Sequence, residues 1–150
     1  MSKQRNLRLL TGLLLLIAFM AGYSDQAAAG EEAASRLQPV LRCRIEQGGS
    51  VLNLEALPVQ NPYRVPMHDI NGRFRFKMVV MGSSDAVEYV KIYAYDNPAR
   101  QPVLVQYARY LKPEISTSSD PASLTGIQTV YSPRLEREMQ YQCALTGRKS

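Results

Sequence analysis

The chain has 150 residues, a formal net charge of +5, one histidine, two cysteines and no tryptophan. So few nitrogen and sulfur ligands exclude a zinc site of four cysteines, or of two cysteines and two histidines, within the chain. The length suits one domain. We therefore expect no metal, no cofactor and a single folded unit.

The first segment has the layout of a secretory signal peptide. Three basic residues, Lys3, Arg5 and Arg8, precede a largely apolar run over 9–22, and three alanines stand just before Gly30. Charge, apolar run and small residues in that order are typical of a cleavable export signal. The alternative is a membrane anchor, but the run is shorter than the roughly 20 residues that a spanning helix needs. We expect cleavage after Ala29, a periplasmic or secreted protein, and membrane contact only through the uncleaved signal.

The charge of the mature chain argues against one class of partner. Removal of residues 1–29 takes away three basic and one acidic side chain, which leaves 15 basic and 12 acidic ones. So mild an excess gives no basis for nucleic-acid binding.

The rest of the chain has the pattern of β-structure. Residues 30–36 are polar and alanine-rich and predict a flexible lead-in. Beyond them, apolar and polar side chains alternate with a period of two, as in half-buried strands. All nine prolines lie between the alternating runs or just before them, where no ladder hydrogen bond is lost. Strands are predicted near 41–46, 51–56, 73–80, 87–95, 103–111, 127–131 and 139–145.

These runs define the fold class. Short strands separated by turn residues, without sustained helical periodicity, predict an all-β domain over 37–147, followed by a tail at 148–150. We expect a single antiparallel β-sandwich of immunoglobulin-like type with about seven strands. A small β-barrel is the alternative.

The two cysteines, Cys43 and Cys143, remain in the mature chain. Both lie on the apolar sides of their runs, and an oxidising compartment favours a bridge between them. We predict a disulfide that joins the first strand to the last; in the chain-entropy model a loop of this length gives about 4.7 kcal/mol of stability. Two unpaired buried thiols are the alternative.

One predicted strand face combines tyrosines with cations. If Val90, Ile92 and Ala94 face the core, the alternate residues share the outer face, and the next strand adds to it. Tyrosine and arginine are favoured at interfaces because each buries area and keeps a polar tip; ordinary cross-strand packing is the alternative. The candidate binding residues are Tyr89, Lys91, Tyr93 and Tyr95, with Tyr107 and either Arg109 or Tyr110, depending on register.

A second candidate is the long proline-rich segment 57–72, which contains Tyr63, Arg64 and the single histidine, His68. Segments of this length without regular structure are uncommon in compact domains unless they are functional or disordered. His68 precedes Asp69, but no positioned nucleophile accompanies them, so we interpret His68 as a loop residue and nominate no catalytic residues.

Residue types that are typical of catalysis are scarce in this chain, so the sequence favours a function in binding rather than in catalysis. We expect a non-enzymatic exported protein that binds a protein partner or an assembly in the cell envelope, through the tyrosine-rich face or the proline-rich segment. The alternative is a cell-wall carbohydrate-binding module or a hydrolase inhibitor.

Overall fold

The computed structural model describes residues 37–97, 101–133 and 136–149. The predicted signal peptide and lead-in lie outside these residues. A one-turn 3-10 helix, Pro62–Arg64, stands between the second and third strands. The described residues form eight strands: β1 (Leu37–Gln47), β2 (Ser50–Ala56), β3 (His68–Ile70), β4 (Phe74–Gly82), β5 (Val87–Asp96), β6 (Val103–Leu111), β7 (Ile127–Ser132) and β8 (Arg137–Lys149).

The strands form two antiparallel sheets of four. Sheet 1 has the order β2-β1-β8-β7 and sheet 2 the order β3-β4-β5-β6. The predicted β-sandwich is confirmed, with eight strands. The additional strand is β3, in which His68 pairs with Phe76; His68 is therefore a strand residue and not the loop residue that we expected. β8 continues to Lys149 and includes two residues assigned to the tail.

The strand order follows the chain around the molecule. Every hydrogen-bonded neighbour of a strand is also its neighbour in sequence, except that β1 pairs with β8. Such an order is that of an up-and-down barrel flattened into two sheets, whereas the sheets of an immunoglobulin domain are joined by Greek-key connections. The two sheets approach each other laterally where β2 lies near β4 and β6 near β7.

The core fills the space between the sheets. On β4, Phe74, Phe76 and Met78 face inward and are at most 2% exposed. From β8, Tyr141 packs its ring edge-on against Phe76, with centroids 5.0 Å apart. Full burial of a large apolar side chain contributes about 1.5–3 kcal/mol. The interior is thus packed with side chains from both sheets.

The predicted disulfide between Cys43 and Cys143 is confirmed. The two residues are directly opposite on β1 and β8, with Cα atoms 4.1 Å apart. The Cys143 N–H donates to Thr125 Oγ1 at 2.8 Å, and its carbonyl accepts from the Leu124 N–H at 3.0 Å. Because these groups point away from β1, the cysteines occupy a non-hydrogen-bonded pair, where opposed side chains come closest.

The disulfide fits an oxidising, exported location. Within 37–97, 101–133 and 136–149 there is no helix of the length and apolar character that membrane crossing requires.

Two tight turns are placed as their residues predict. Gly48 and Gly49 join β1 to β2 with φ values of 58° and 81°. Asn71 and Gly72 lead from β3 to β4 with φ values of 52° and 67°, and the Arg73 N–H donates to the Ile70 carbonyl. Positive φ at both central positions matches the twist of the strands, which explains the glycines and the asparagine.

Candidate binding face

The candidate surface is the outer side of sheet 2. On β5, Val90, Ile92 and Ala94 are buried against the core, so the residues between them point outward and are half-buried. We call this surface the tyrosine-cation face. It consists of Tyr89, Lys91, Tyr93 and Tyr95 on β5, Tyr107 and Arg109 on β6, and Lys77 on β4.

The register of β5 and β6 decides which residues of β6 belong to the face. Tyr107 lies opposite Tyr93, and Arg109 lies opposite Lys91. Tyr110 lies opposite the buried Val90 and packs against the core. Of the two residues left open by the sequence, the outer one is therefore Arg109.

The tyrosine rings of the face contact one another. Tyr93 and Tyr95 lie nearly parallel, with an interplanar angle of 16° and centroids 6.3 Å apart. Tyr107 approaches Tyr93 from the neighbouring strand, with centroids 5.1 Å apart. These spacings are those of favourable aromatic pairs. Tyr107 is still 48% exposed, so the row keeps area to offer a partner.

Two cations share one ring at the end of this row. Lys91 Nζ lies 4.7 Å from the centre of the Tyr89 ring, and Arg109 Cζ lies 5.3 Å from it. Both distances are within the range of cation–π attraction. Lys91 and Arg109 are also directly opposite across the strands, an arrangement of like charges that destabilises a sheet.

The cations of the face have no acidic partner in the described residues. The ion pairs found there join Arg42 to Glu55, Arg44 to Glu46 and Arg75 to Asp69. Lys77, Lys91 and Arg109 take part in none of them. The positive charges of Lys77, Lys91 and Arg109 are therefore available to negatively charged groups of a partner.

Lys77 is a member of the face that the sequence pattern alone does not identify. Lys77 lies opposite Tyr93 across β4 and β5. Alternation with Phe76 and Met78 already indicated that it points outward, but its neighbours depend on register. Arg75, one step further along β4, lies opposite Tyr95 and approaches Asp69 at 3.4 Å, so its charge is compensated locally.

Burial affects two tyrosine hydroxyls in this region, Tyr93 on the face and Tyr110 on the inner side of β6. Burial raises the pKa of the Tyr93 phenol, and the positive charge of Lys91 opposes that rise only in part. Burial also raises the pKa of Tyr110 on the inner side. At neutral pH the Tyr93 hydroxyl can therefore both donate and accept hydrogen bonds.

Tyr63 and Arg64 lie apart from the other candidates in the contacts of the described residues. They form the 3-10 turn, where the Asn61 side chain accepts a hydrogen bond from the Tyr63 N–H at 3.0 Å. Tyr63 is 91% exposed. The turn lies against β4, but no ring or cation–π contact joins Tyr63 to the tyrosine-cation face in that part of the chain.

Sheet 1 has a different outer surface. A groove of about 440 Å³ lies between its strands and the segment 118–121, lined in part by Arg42, Arg44 and Glu55. Arg42 Nε donates to Glu55 at 2.8 Å and Arg42 Nη1 donates to Thr146 Oγ1 at 2.7 Å. Arg42 and Glu55 of this groove therefore compensate each other's charge, and Arg44 is paired with Glu46. No cluster of three or more potential metal ligands occurs among the described residues.

Comparison of the chain with known protein families, with curated proteins and with solved structures gives no match. The candidate face is therefore interpreted from its own chemistry.

Proposed function

We propose that the protein is an exported, non-enzymatic β-sandwich that binds a protein partner in the cell envelope through the tyrosine-cation face. The observation that carries this proposal is the opposed pair Lys91 and Arg109 on the Tyr89 ring. Like charges placed opposite each other cost stability, and no carboxylate of the described residues offsets them. An acidic partner surface would do so.

The aromatic part of the face supports a protein as the partner. Tyrosine and arginine are enriched among residues that dominate interface energies, because they combine large area with a polar end. Here the rings already contact one another, so less side-chain freedom is lost on binding. Negative charge on the partner would increase the association rate and strengthen the salt dependence of binding.

Export is part of the proposal. A signal peptide cleaved after Ala29 would deliver the chain to the periplasm or the medium, and the disulfide is consistent with that destination. Mass spectrometry of the exported protein under non-reducing conditions measures both features. A mass that begins at Gly30 and includes the disulfide is expected, and a chain that keeps residues 1–29 would contradict cleavage.

Site-specific photo-crosslinking in the native envelope tests the binding surface. A photo-reactive phenylalanine analogue replaces Tyr107, which is 48% exposed on sheet 2, or Tyr131, a matched control that is 54% exposed on sheet 1. We expect one defined protein adduct from position 107 and none of that mass from position 131. Arg109→Ala should remove the adduct. Equal adducts from both positions would contradict the proposed surface.

Cell-wall carbohydrate is the second candidate ligand. The nearly parallel rings of Tyr93 and Tyr95 favour it, since sugar rings stack on aromatic faces. Binding of a neutral glycan would not depend on Lys91 or Arg109 and would change little with salt, whereas binding of an acidic protein surface would weaken as salt screens the charges. Titration with soluble cell-wall fragments at low and high salt separates the two candidates.

A further inference from the structure

Among the described residues, strand β6 pairs with β5 alone and forms an open edge of sheet 2. In an antiparallel pair, opposed residues alternate between those that exchange backbone hydrogen bonds and those whose N–H and C=O groups point away. The Lys112 N–H donates to the Glu88 carbonyl at 2.8 Å, so Tyr110 and Ala108 also bond to β5. The N–H and C=O groups of Tyr107, Arg109 and Leu111 therefore point to the open edge.

These outward backbone groups belong to residues of the tyrosine-cation face or its border. Tyr107 and Arg109 are members of the face, and Leu111 lies beside it, opposite Tyr89 and 65% exposed. No backbone hydrogen bond joins the open side of residues 107–111 to another described segment. A chain that paired with β6 would thus place its own side chains beside Arg109.

The edge has few of the features that usually prevent strand pairing: Arg109 is its one charged residue, and among the described residues only the Gln106 side chain hydrogen-bonds to β7, where Nε2 donates to Gln128 Oε1 at 3.2 Å. Residues 106–111 contain neither proline nor lysine, two devices that protect sheet edges. The bulge opposite Ala94 and Tyr95 leaves 106–111 in regular register. Four of the twelve exposed large apolar side chains in the described residues lie on β6 itself, namely Val103, Leu104, Tyr107 and Leu111.

We propose that β6 accepts an extended segment of a protein partner as an added strand, with acidic side chains of that segment on the outer face beside Arg109 and Lys91. The proposal rests on the proposed function and names its binding mode. Strand addition obtains affinity from main-chain hydrogen bonds and specificity from alternate side chains. Alternation would direct the other side chains of the segment inward, on the side where Val105 and Tyr110 pack against the core.

The positive charges of Lys91 and Arg109 favour an acidic partner segment over a second copy of the chain. Self-pairing of β6 would bring a second Arg109, with Lys91 behind it, to the same edge. The like-charge arrangement already present between Lys91 and Arg109 would then be extended. Carboxylates on a partner strand would instead compensate both cations.

Amide hydrogen exchange tests the proposal directly. The probe is a synthetic seven-residue peptide in which valine and glutamate alternate, and its control is the same peptide with lysine in place of glutamate. With the acidic peptide at about ten times its Kd, exchange at the Tyr107, Arg109 and Leu111 amides should slow about tenfold, because only the unbound fraction exchanges. The Ala108 and Tyr110 amides, already bonded to β5, should change little. The lysine peptide should have no effect.

A proline variant tests the same edge independently. Leu111→Pro removes one outward N–H without removing a bond to β5, and Leu111→Ala is the matched control that keeps the N–H. We expect the acidic peptide to bind Leu111→Pro at least fivefold more weakly than Leu111→Ala, with circular dichroism showing both variants folded. Equal affinities would overturn strand addition.

The outcomes separate this inference from the proposed function. Peptide binding without slowed exchange at the three amides, or no binding of the acidic peptide, overturns strand addition. Concentration-dependent protection of these amides in the protein alone also overturns it, in favour of a second copy. In each case the adduct at position 107 still decides the proposed function.

Discussion

The outer faces of the two sheets use charge in opposite ways. On sheet 1, Arg42 is opposite Glu55 and bonded to it, and Arg44 is paired with Glu46. On sheet 2, Lys91 is opposite Arg109, and both cations contact the Tyr89 ring. Sheet 1 also contains the disulfide. The arginines named on the outer face of sheet 1 thus have acidic partners within the fold, whereas Lys91 and Arg109 on sheet 2 have none among the described residues.

This difference separates stability from binding. Substitutions in sheet 1 should change the free energy of unfolding, and substitutions on the tyrosine-cation face should change affinity for a partner. A folded sheet 1 variant that loses partner binding would contradict the division.

The largest expected effect is loss of the disulfide. Replacing Cys43 and Cys143 together by alanine should lower the free energy of unfolding by about 2–5 kcal/mol, as measured by urea denaturation. Under conditions in which this variant is folded, photo-crosslinking of the partner from position 107 should persist. A denaturation midpoint equal to that of the unsubstituted protein would show that the bridge does not stabilise the fold.

Next in size is the effect of Tyr93→Ala, because Tyr93 contacts both Tyr95 and Tyr107. Loss of a hot-spot aromatic costs about 2 kcal/mol of binding free energy, which is about thirtyfold in Kd. Titration with the partner identified by crosslinking measures it. Tyr131→Ala, the exposed tyrosine of sheet 1, should bind as the unsubstituted protein does; the reverse result would place the interface on sheet 1.

A smaller effect is expected from Tyr141→Phe. The Tyr141 hydroxyl is buried without a hydrogen-bond partner in the described residues, so its removal should stabilise the fold at neutral pH by about 1 kcal/mol. Burial raises the pKa of Tyr141 above its ordinary value of 10.0. The unfolded chain therefore releases the phenol proton first, and stability falls as the pH rises above 10.

Urea denaturation at pH 7 and above pH 10 measures both parts of this prediction. Tyr141→Phe should show the gain at neutral pH and a shallower alkaline loss. Tyr131→Phe, at an exposed position, should change neither. A destabilised Tyr141→Phe at pH 7 would mean that the hydroxyl is bonded after all.

The smallest expected effects are two charge reversals with opposite signs. Glu55→Lys places a like charge opposite Arg42 and should lower the free energy of unfolding, whereas Lys91→Glu places an opposite charge across from Arg109 and should raise it. Each change should be about 0.2–1 kcal/mol at low salt, and should shrink in high salt. Two changes of the same sign would remove the contrast between the faces.

The sequence alone predicted the strands in which apolar and polar residues alternate over a long run. Phe74, Phe76 and Met78 set the inward face of β4, and the two cysteines lay on inward positions of the first and last strands. β3 was not predicted, because three residues following Pro66 are too short for a period-two pattern. That Cys43 and Cys143 are neighbours within one sheet required the strand order, which no local pattern contains.

The candidate site was predictable only up to register. Periodicity on β5 and β6 offered Arg109 and Tyr110 as alternatives, since they point to opposite faces. Only the pairing of Lys91 with Arg109 decides between them. The same holds for Lys77, whose outward direction was evident but whose position opposite Tyr93 depends on pairing between strands far apart in sequence.

The position of the disulfide has a mechanical consequence. In the described chain, Leu37 pairs with Lys149, and the β1/β8 ladder runs from there to the bonded cysteines. Tension applied at these two residues would unzip the ladder one pair at a time, through the pairing of Arg42 with Ala144. Beyond that pair, the force would be borne by the disulfide between Cys43 and Cys143. Residues 44–142 form a closed loop that such a force cannot extend, so the tyrosine-cation face is insulated from pulling on the ends of the domain.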